Sequence, residues 1–116
     1  MILHIHDNKT ISDLQDKFNE CFPSLKIEFY DQAHHYKEKS SDSHLISADR
    51  TIGSISKKHE QGEFVIKSWD TVASVEREFR EKYGLNVQVF RKQNDKWIQT
   101  SATDPLTLRQ QGELSV

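Results

Sequence analysis

The chain has few residues of the types on which several common functions depend. Its single cysteine excludes an internal disulfide. Its four glycines leave little material for a phosphate-binding loop, and the common nucleotide-binding and hydrolase motifs are absent. The longest apolar runs are a few residues long, as at 64–66, which is too short to span a bilayer. The N-terminus lacks the basic start and long apolar stretch of a signal peptide, so we expect a cytoplasmic protein with no membrane partner.

The composition is that of a folded domain. Hydrophobic residues make up 34% of the 116 residues and aromatic residues 9%, which argues against disorder. The net charge of −2 gives no general attraction to nucleic acid or to anionic membranes. The length predicts one domain that covers residues 1–116.

A weak internal repeat organises the chain. Residues 10–31 align with residues 71–91, and each segment has a helical period followed by a strand period. Thr10 and Thr71 are candidate N-caps of the two helices. Pro23 is expected to stop the first helix, and Gly84 is expected to cap the second.

The order of elements predicts the fold class. Predicted strands at 2–6 and 63–69 precede the two helices, and a last strand is predicted at 96–101. The resulting βαβ-βαβ order with one extra strand indicates an α+β, ferredoxin-like two-layer sandwich, in which two helices cover one face of an antiparallel sheet. A long polar insertion at 31–62 carries a short predicted helix within 51–60. The C-terminus forms a predicted helical tail at 103–112, with Asp104 as its cap.

Residues 84–100 predict a hairpin with large apolar groups on both faces. An Asn94-Asp95 turn places Lys92 opposite Trp97 and Phe90 opposite Gln99. Side chains alternate between the faces of a sheet, so one set is predicted to face the helices: Leu3, Ile5, Leu25, Ile27, Phe29, Phe64, Ile66, Val87, Val89 and Ile98. The helix-free face then carries several aromatic residues, although a face open to water should be polar.

That helix-free face is the candidate partner-binding site. Its predicted members are Tyr30, Trp69, Phe90, Trp97, Lys67, Lys92, Gln88 and Gln99. Three covers remain open: the C-terminal tail through its leucines, a protein partner that is most simply a second copy, or single-stranded nucleic acid stacked on the aromatic rings. We expect a non-enzymatic module that forms a homodimer or binds another protein, with nucleic acid as the alternative.

Catalytic and metal sites are not expected. The six histidines lack the rigid spacing of a zinc site, so no metal and no cofactor is predicted. Cys21 falls on the predicted buried stripe of the first helix, where a thiol with no positive neighbour is inert. The outer face of the second helix, from Glu76 to Lys82, predicts ion pairs four residues apart in water.

The C-terminal third carries a recognisable pattern. Its residues are VQVFRK at 87–92, Trp97, Thr100, Thr103-Asp104, Thr107-Leu108 and Gln110-Gln111. Together with FPSLKIEFY at 22–30, this pattern resembles a group of small uncharacterised bacterial proteins. The resemblance implies no activity and no cofactor.

Overall fold

The computed structural model of the chain describes residues 1–32 and 39–115. In these residues the strands are Ile2–Ile5 (β1), Leu25–Tyr30 (β2), Gly62–Val65 (β3), Asn86–Gln93 (β4) and Lys96–Gln99 (β5). The α-helices are Ile11–Cys21 (α1), Ile52–Ile55 (α2), Val72–Tyr83 (α3) and Leu108–Leu114 (α4). Short 3-10 helices lie at Asp42–His44 and Ser101–Thr103. The fold class is therefore α+β, as predicted.

The described strands form two antiparallel sheets. β1 pairs with β3, and a second sheet has the order β2-β4-β5. The single sheet of a ferredoxin-like sandwich, with both helices on one face, is therefore not confirmed. Each strand instead pairs with its counterpart in the other half of the repeat, β1 with β3 and β2 with β4.

One core joins the two sheets. The ring of Phe79 on α3 lies 6.0 Å from that of Phe29 on β2 and 4.9 Å from that of Phe64 on β3, edge to face in both pairs. Tyr83, one turn along α3, stacks on Phe64 at 5.7 Å. The predicted core-facing set is buried, except for Ile98, which is half-buried. The predicted alternation of side chains between the two faces is therefore confirmed, because these residues could not all be buried if they pointed the other way.

The internal repeat extends further than the sequence indicated. Thr10 and Thr71 cap α1 and α3, and Thr51 and Thr107 cap α2 and α4 in the same way. The capping residues also form two antiparallel bridges, Thr10 with Thr51 and Thr71 with Thr107. The backbone hydrogen bonds around these bridges also correspond between the two halves. In the first half, the Ile11 N–H donates to the Arg50 C=O and the Ile52 N–H donates to the Lys9 C=O. In the second half, the Val72 N–H donates to the Leu106 C=O and the Leu108 N–H donates to the Asp70 C=O. In each half, the start of a short helix is therefore hydrogen-bonded to the start of a long one.

The tail differs from its prediction. Its helix begins at Leu108, capped by Thr107 rather than by Asp104, and Gly112 lies inside it. The reason is the bridge between Thr71 and Thr107, which fixes the start of the helix. Leu108 is fully buried in the core.

Two helix residues also differ from their predictions. Cys21 is exposed, because it is the last residue of α1 and lies beyond the buried stripe. Glu76 is buried, and its carboxylate accepts the N–H of Val89 at 2.9 Å. The neighbouring strand β5 ends at Gln99, and Glu76 takes the place of a strand partner for that amide.

No helix among the described residues is long and apolar enough to cross a membrane.

Candidate functional site

The hairpin β4-β5 forms the centre of the candidate site. Its register is as predicted, with Phe90 opposite Gln99 and Lys92 opposite Trp97. Asn94 and Asp95 both have positive φ, 52° and 63°, as a type I′ turn requires. On the other side of β4, Phe90 pairs with Lys26 of β2. We call the side of β2-β4-β5 that points away from the core the outer face, with the members Lys26, Glu28, Tyr30, Gln88, Phe90, Lys92, Trp97 and Gln99.

The insertion covers one half of the outer face. Gln99 donates to the carbonyl oxygen of Ser40 at 2.9 Å and accepts the Ser40 N–H at 2.8 Å. The Ser40 hydroxyl lies 3.4 Å from Oε1 of Gln88, which is fully buried. Further along the insertion, Leu45 forms a bridge with Tyr30. The covered half, Tyr30, Gln88 and Gln99, is therefore not available to a partner as the sequence suggested.

Tyr30 shows the electrostatic effect of this cover. Its side chain is 3% exposed. Burial, with smaller contributions from the nearby carboxylates of Glu28 and Asp42, raises the pKa of Tyr30 to about 12. Burial penalises the phenolate, so the side chain remains neutral at ordinary pH. Tyr30 is a structural residue here and not a free binding anchor.

The other half of the outer face stays open. The Lys26 ammonium lies 5.2 Å from the ring centroid of Phe90 and 5.2 Å from that of Trp97. Trp97 is 36% exposed, Phe90 is half-buried and Lys92 is exposed. Cation–π geometry of this kind contributes roughly 0.5–1 kcal/mol at exposed positions. We call Lys26, Phe90, Lys92 and Trp97 the open half.

Lys67 and Trp69 do not belong to the outer face. They follow β3, which pairs with β1 in the other sheet. Trp69 is 68% exposed, and the Lys67 ammonium lies 5.3 Å from its ring centroid. The predicted set of eight residues thus separates into the covered half, the open half and this pair beyond β3.

No protein-family model, curated protein or solved structure matches the chain. The resemblance in the C-terminal third therefore stays a prediction.

Two contributors to the site are absent from the predicted set. The alternation of side chains along β2 predicts Lys26 on this face, and the structure adds its contacts to the rings of Phe90 and Trp97. Ser40 covers Gln88 and Gln99, and no local pattern marks it. Its contacts to Gln99 join residues that are 59 positions apart in the chain.

Two histidines of the insertion lie next to carboxylates. Nδ1 of His44 lies 2.8 Å from a carboxylate oxygen of Asp31, and Nδ1 of His59 lies 3.1 Å from one of Asp7. Across residues 1–32 and 39–115, no three His, Cys, Asp or Glu side chains are grouped as a metal site would need. His34 and His35 lie outside the described residues. The His59–Asp7 pair therefore joins the insertion to the turn after β1, and the His44–Asp31 pair lies within the insertion.

Proposed function

We propose that the chain is a non-enzymatic protein-interaction module whose docking surface is the open half of the outer face. The observation that supports this function is the position of the Lys26 ammonium over two partly exposed rings, those of Phe90 and Trp97. Aromatic side chains bury a large area at a small cost in conformational entropy, and they are typical anchors of protein interfaces. The covered half lies beside these anchors on the same sheet, where Gln99 is hydrogen-bonded to the backbone of Ser40.

The charge of the open half indicates the chemistry of the partner. Three lysines, Lys26, Lys92 and Lys96, lie on the outer face or at its turn, together with two acids, Glu28 and Asp95. The carboxylate of Glu28 accepts a hydrogen bond from Gln15 on α1 at 2.8 Å. A face-to-face second copy would bring like charges together, which opposes association. We therefore propose another protein, with carboxylates around an apolar centre, as the partner in preference to a homodimer.

Single-stranded nucleic acid is the second candidate. Exposed rings beside lysines can stack bases and contact phosphates. Lys26 already lies over both rings, however, so a base would have to displace its ammonium before stacking. Fluorescence anisotropy with labelled oligo-dT and oligo-U at low salt separates the two candidates. Binding that weakens with salt and is lost in Trp97→Ala would replace the protein partner with nucleic acid.

The experiment for the protein partner is quantitative capture from extracts of the source cells with matched baits. The baits are the parent chain, Lys26→Glu, Trp97→Ala and a control, Trp69→Ala, which removes an exposed tryptophan from the other sheet. We expect a partner that the parent and Trp69→Ala retain, and that Lys26→Glu and Trp97→Ala lose. Identical recovery on all four baits would contradict the proposal.

Self-association is tested on the purified parent alone. Its molar mass in solution is expected to be that of one chain, 13.6 kDa, across the accessible concentration range. A dimer that Trp97→Ala dissociates would show that a second copy occupies the open half. A cytoplasmic location is part of the proposal, because the exposed thiol of Cys21 suits a reducing compartment.

A further inference from the structure

The two-stranded sheet β1-β3 has an unpaired outer edge along β3. Met1 and Ile66 exchange backbone hydrogen bonds at 2.9 Å in both directions. Bonded and non-bonded pairs alternate in antiparallel sheets, so the backbone groups of Glu63 and Val65 point away from β1. Within the part of the chain that is described, no hydrogen bond reaches those outward N–H and C=O groups. Two donors and two acceptors therefore stand in a row at this edge.

The outward carbonyl groups of β2, by contrast, are hydrogen-bonded. Asn19 donates to the outward carbonyl oxygen of Leu25 at 2.9 Å, and Gln15 donates to that of Ile27 at 2.9 Å. The next outward carbonyl, that of Phe29, accepts the N–H of Ile46 from the insertion. Side chains and loops commonly blunt sheet edges to prevent unwanted pairing. Such protection is present on β2, and none of the described residues supplies it to β3, which leaves the β3 edge available for pairing.

A groove runs beside this free edge. It lies between β3 and α3 and has a volume of about 300 Å³. Phe64 and Val75 lie almost fully buried at its floor, and Val65 is 49% exposed at its margin. The space next to the edge therefore suits an extended strand whose alternate side chains enter the groove.

The charge of the groove selects the occupant. Its lining has three acids, Asp70, Glu78 and Glu81, and one base, Arg77. The predicted helix ion pairs of Glu78 and Glu81 do not form within 4.0 Å in the described structure, so both carboxylates face solvent unpaired. A second copy that pairs its own β3 at this edge would bring the acids of two grooves together, which is unfavourable.

We propose that the β3 edge binds an extended basic peptide segment by strand addition. Two backbone residues of the segment pair with Glu63 and Val65. Lys or Arg side chains at alternate positions enter the groove and face Glu78 and Glu81, and the β-branched or apolar side chains between them lie on the same face of the sheet as Val65. This surface is separate from the open half of the outer face, and the inference does not depend on the function proposed for that half.

The test is selection of a phage-displayed library of random twelve-residue peptides on the immobilised parent chain. Enriched peptides are then synthesised and titrated by calorimetry against the parent and four variants. Val65→Pro removes an N–H that points away from the β1 ladder, so the sheet itself should persist. Val65→Thr keeps that N–H, and Ile2→Pro makes the same change at the edge of β1. The double variant Glu78→Lys, Glu81→Lys reverses charge on an exposed helix surface and keeps the test valid if the proline variant does not fold.

We expect enriched peptides that alternate β-branched residues with Lys or Arg. Their affinity should fall at least about 10-fold in Val65→Pro and in the double lysine variant, and stay within about 3-fold of the parent in Val65→Thr and Ile2→Pro. No enrichment, or peptides that bind Val65→Pro as tightly as the parent, would overturn the proposal. Self-association of the parent that Val65→Pro abolishes, without peptide binding, would also overturn it, because a second copy would then be the occupant.

Discussion

Gln99 holds the insertion on the outer face, so Gln99→Ala should release it there. The side chain makes two hydrogen bonds to the backbone of Ser40, at 2.8 and 2.9 Å. Each such bond contributes a net 0.5–1.5 kcal/mol, so the pair contributes about 1–3 kcal/mol to holding the segment closed. That free energy corresponds to an opening equilibrium that is about 5- to 150-fold more favourable in the variant. The segment can detach locally, so the free energy of global unfolding should fall by less.

The assay is amide hydrogen exchange of Ser40, compared with urea unfolding of the same samples. Exchange at Ser40 should accelerate by the factor given above in Gln99→Ala, while amides in the centre of β4 keep their protection. Lys96→Ala is the control, because it changes an exposed side chain of the same strand. Unchanged exchange at Ser40, or equal acceleration in the control, would refute the role assigned to Gln99.

Three further predictions concern single side chains. Gly84→Ala should lower the free energy of unfolding by about 1–2 kcal/mol in urea, since Gly84 has φ of +65° and an added Cβ would lie 2.9 Å from the Lys58 nitrogen. Gly112→Ala should raise it by roughly 0.5–1 kcal/mol, because the added Cβ meets nothing within 4 Å in α4; a loss would contradict that geometry. Burial raises the pKa of Tyr30 from 10.0 to about 12. The contribution of the neutral, buried phenol to the free energy of unfolding is therefore fully present below pH 10 and is lost as the pH rises towards 12. Tyr30→Phe should reduce that loss, and identical pH profiles for parent and variant would contradict the burial of the phenol.

Local features of the fold were predictable from the sequence. The hairpin register follows from the turn residues Asn94 and Asp95, whose conformation fixes which residues face each other. The threonine caps and the left-handed Gly84 likewise depend on a few adjacent residues. The phase of each strand follows from alternating burial, which needs no knowledge of the strand's partner.

The pairing of strands and the cover of the outer face were not predictable in the same way. Strand pairing depends on contacts between residues that are far apart in the sequence. β2 pairs with β4 and not with a strand of the β1-β3 sheet. The cover depends on the backbone of Ser40, whose hydrogen bonds to Gln99 carry no sequence signature. Glu76 shows the same limit, since its partner is a backbone amide left unpaired by the length of β5.

The measurement that tests the docking surface most directly is site-specific photo-crosslinking in the source cells. A photoreactive phenylalanine analogue is placed at position 92 of the open half and, as a control, at position 80 on the exposed side of α3. We expect a discrete crosslinked protein from position 92 that disappears when Lys26→Glu is added, and none from position 80. A crosslink at position 92 that Lys26→Glu leaves intact, the same product from both positions, or no product at position 92 would contradict the proposed role of the open half.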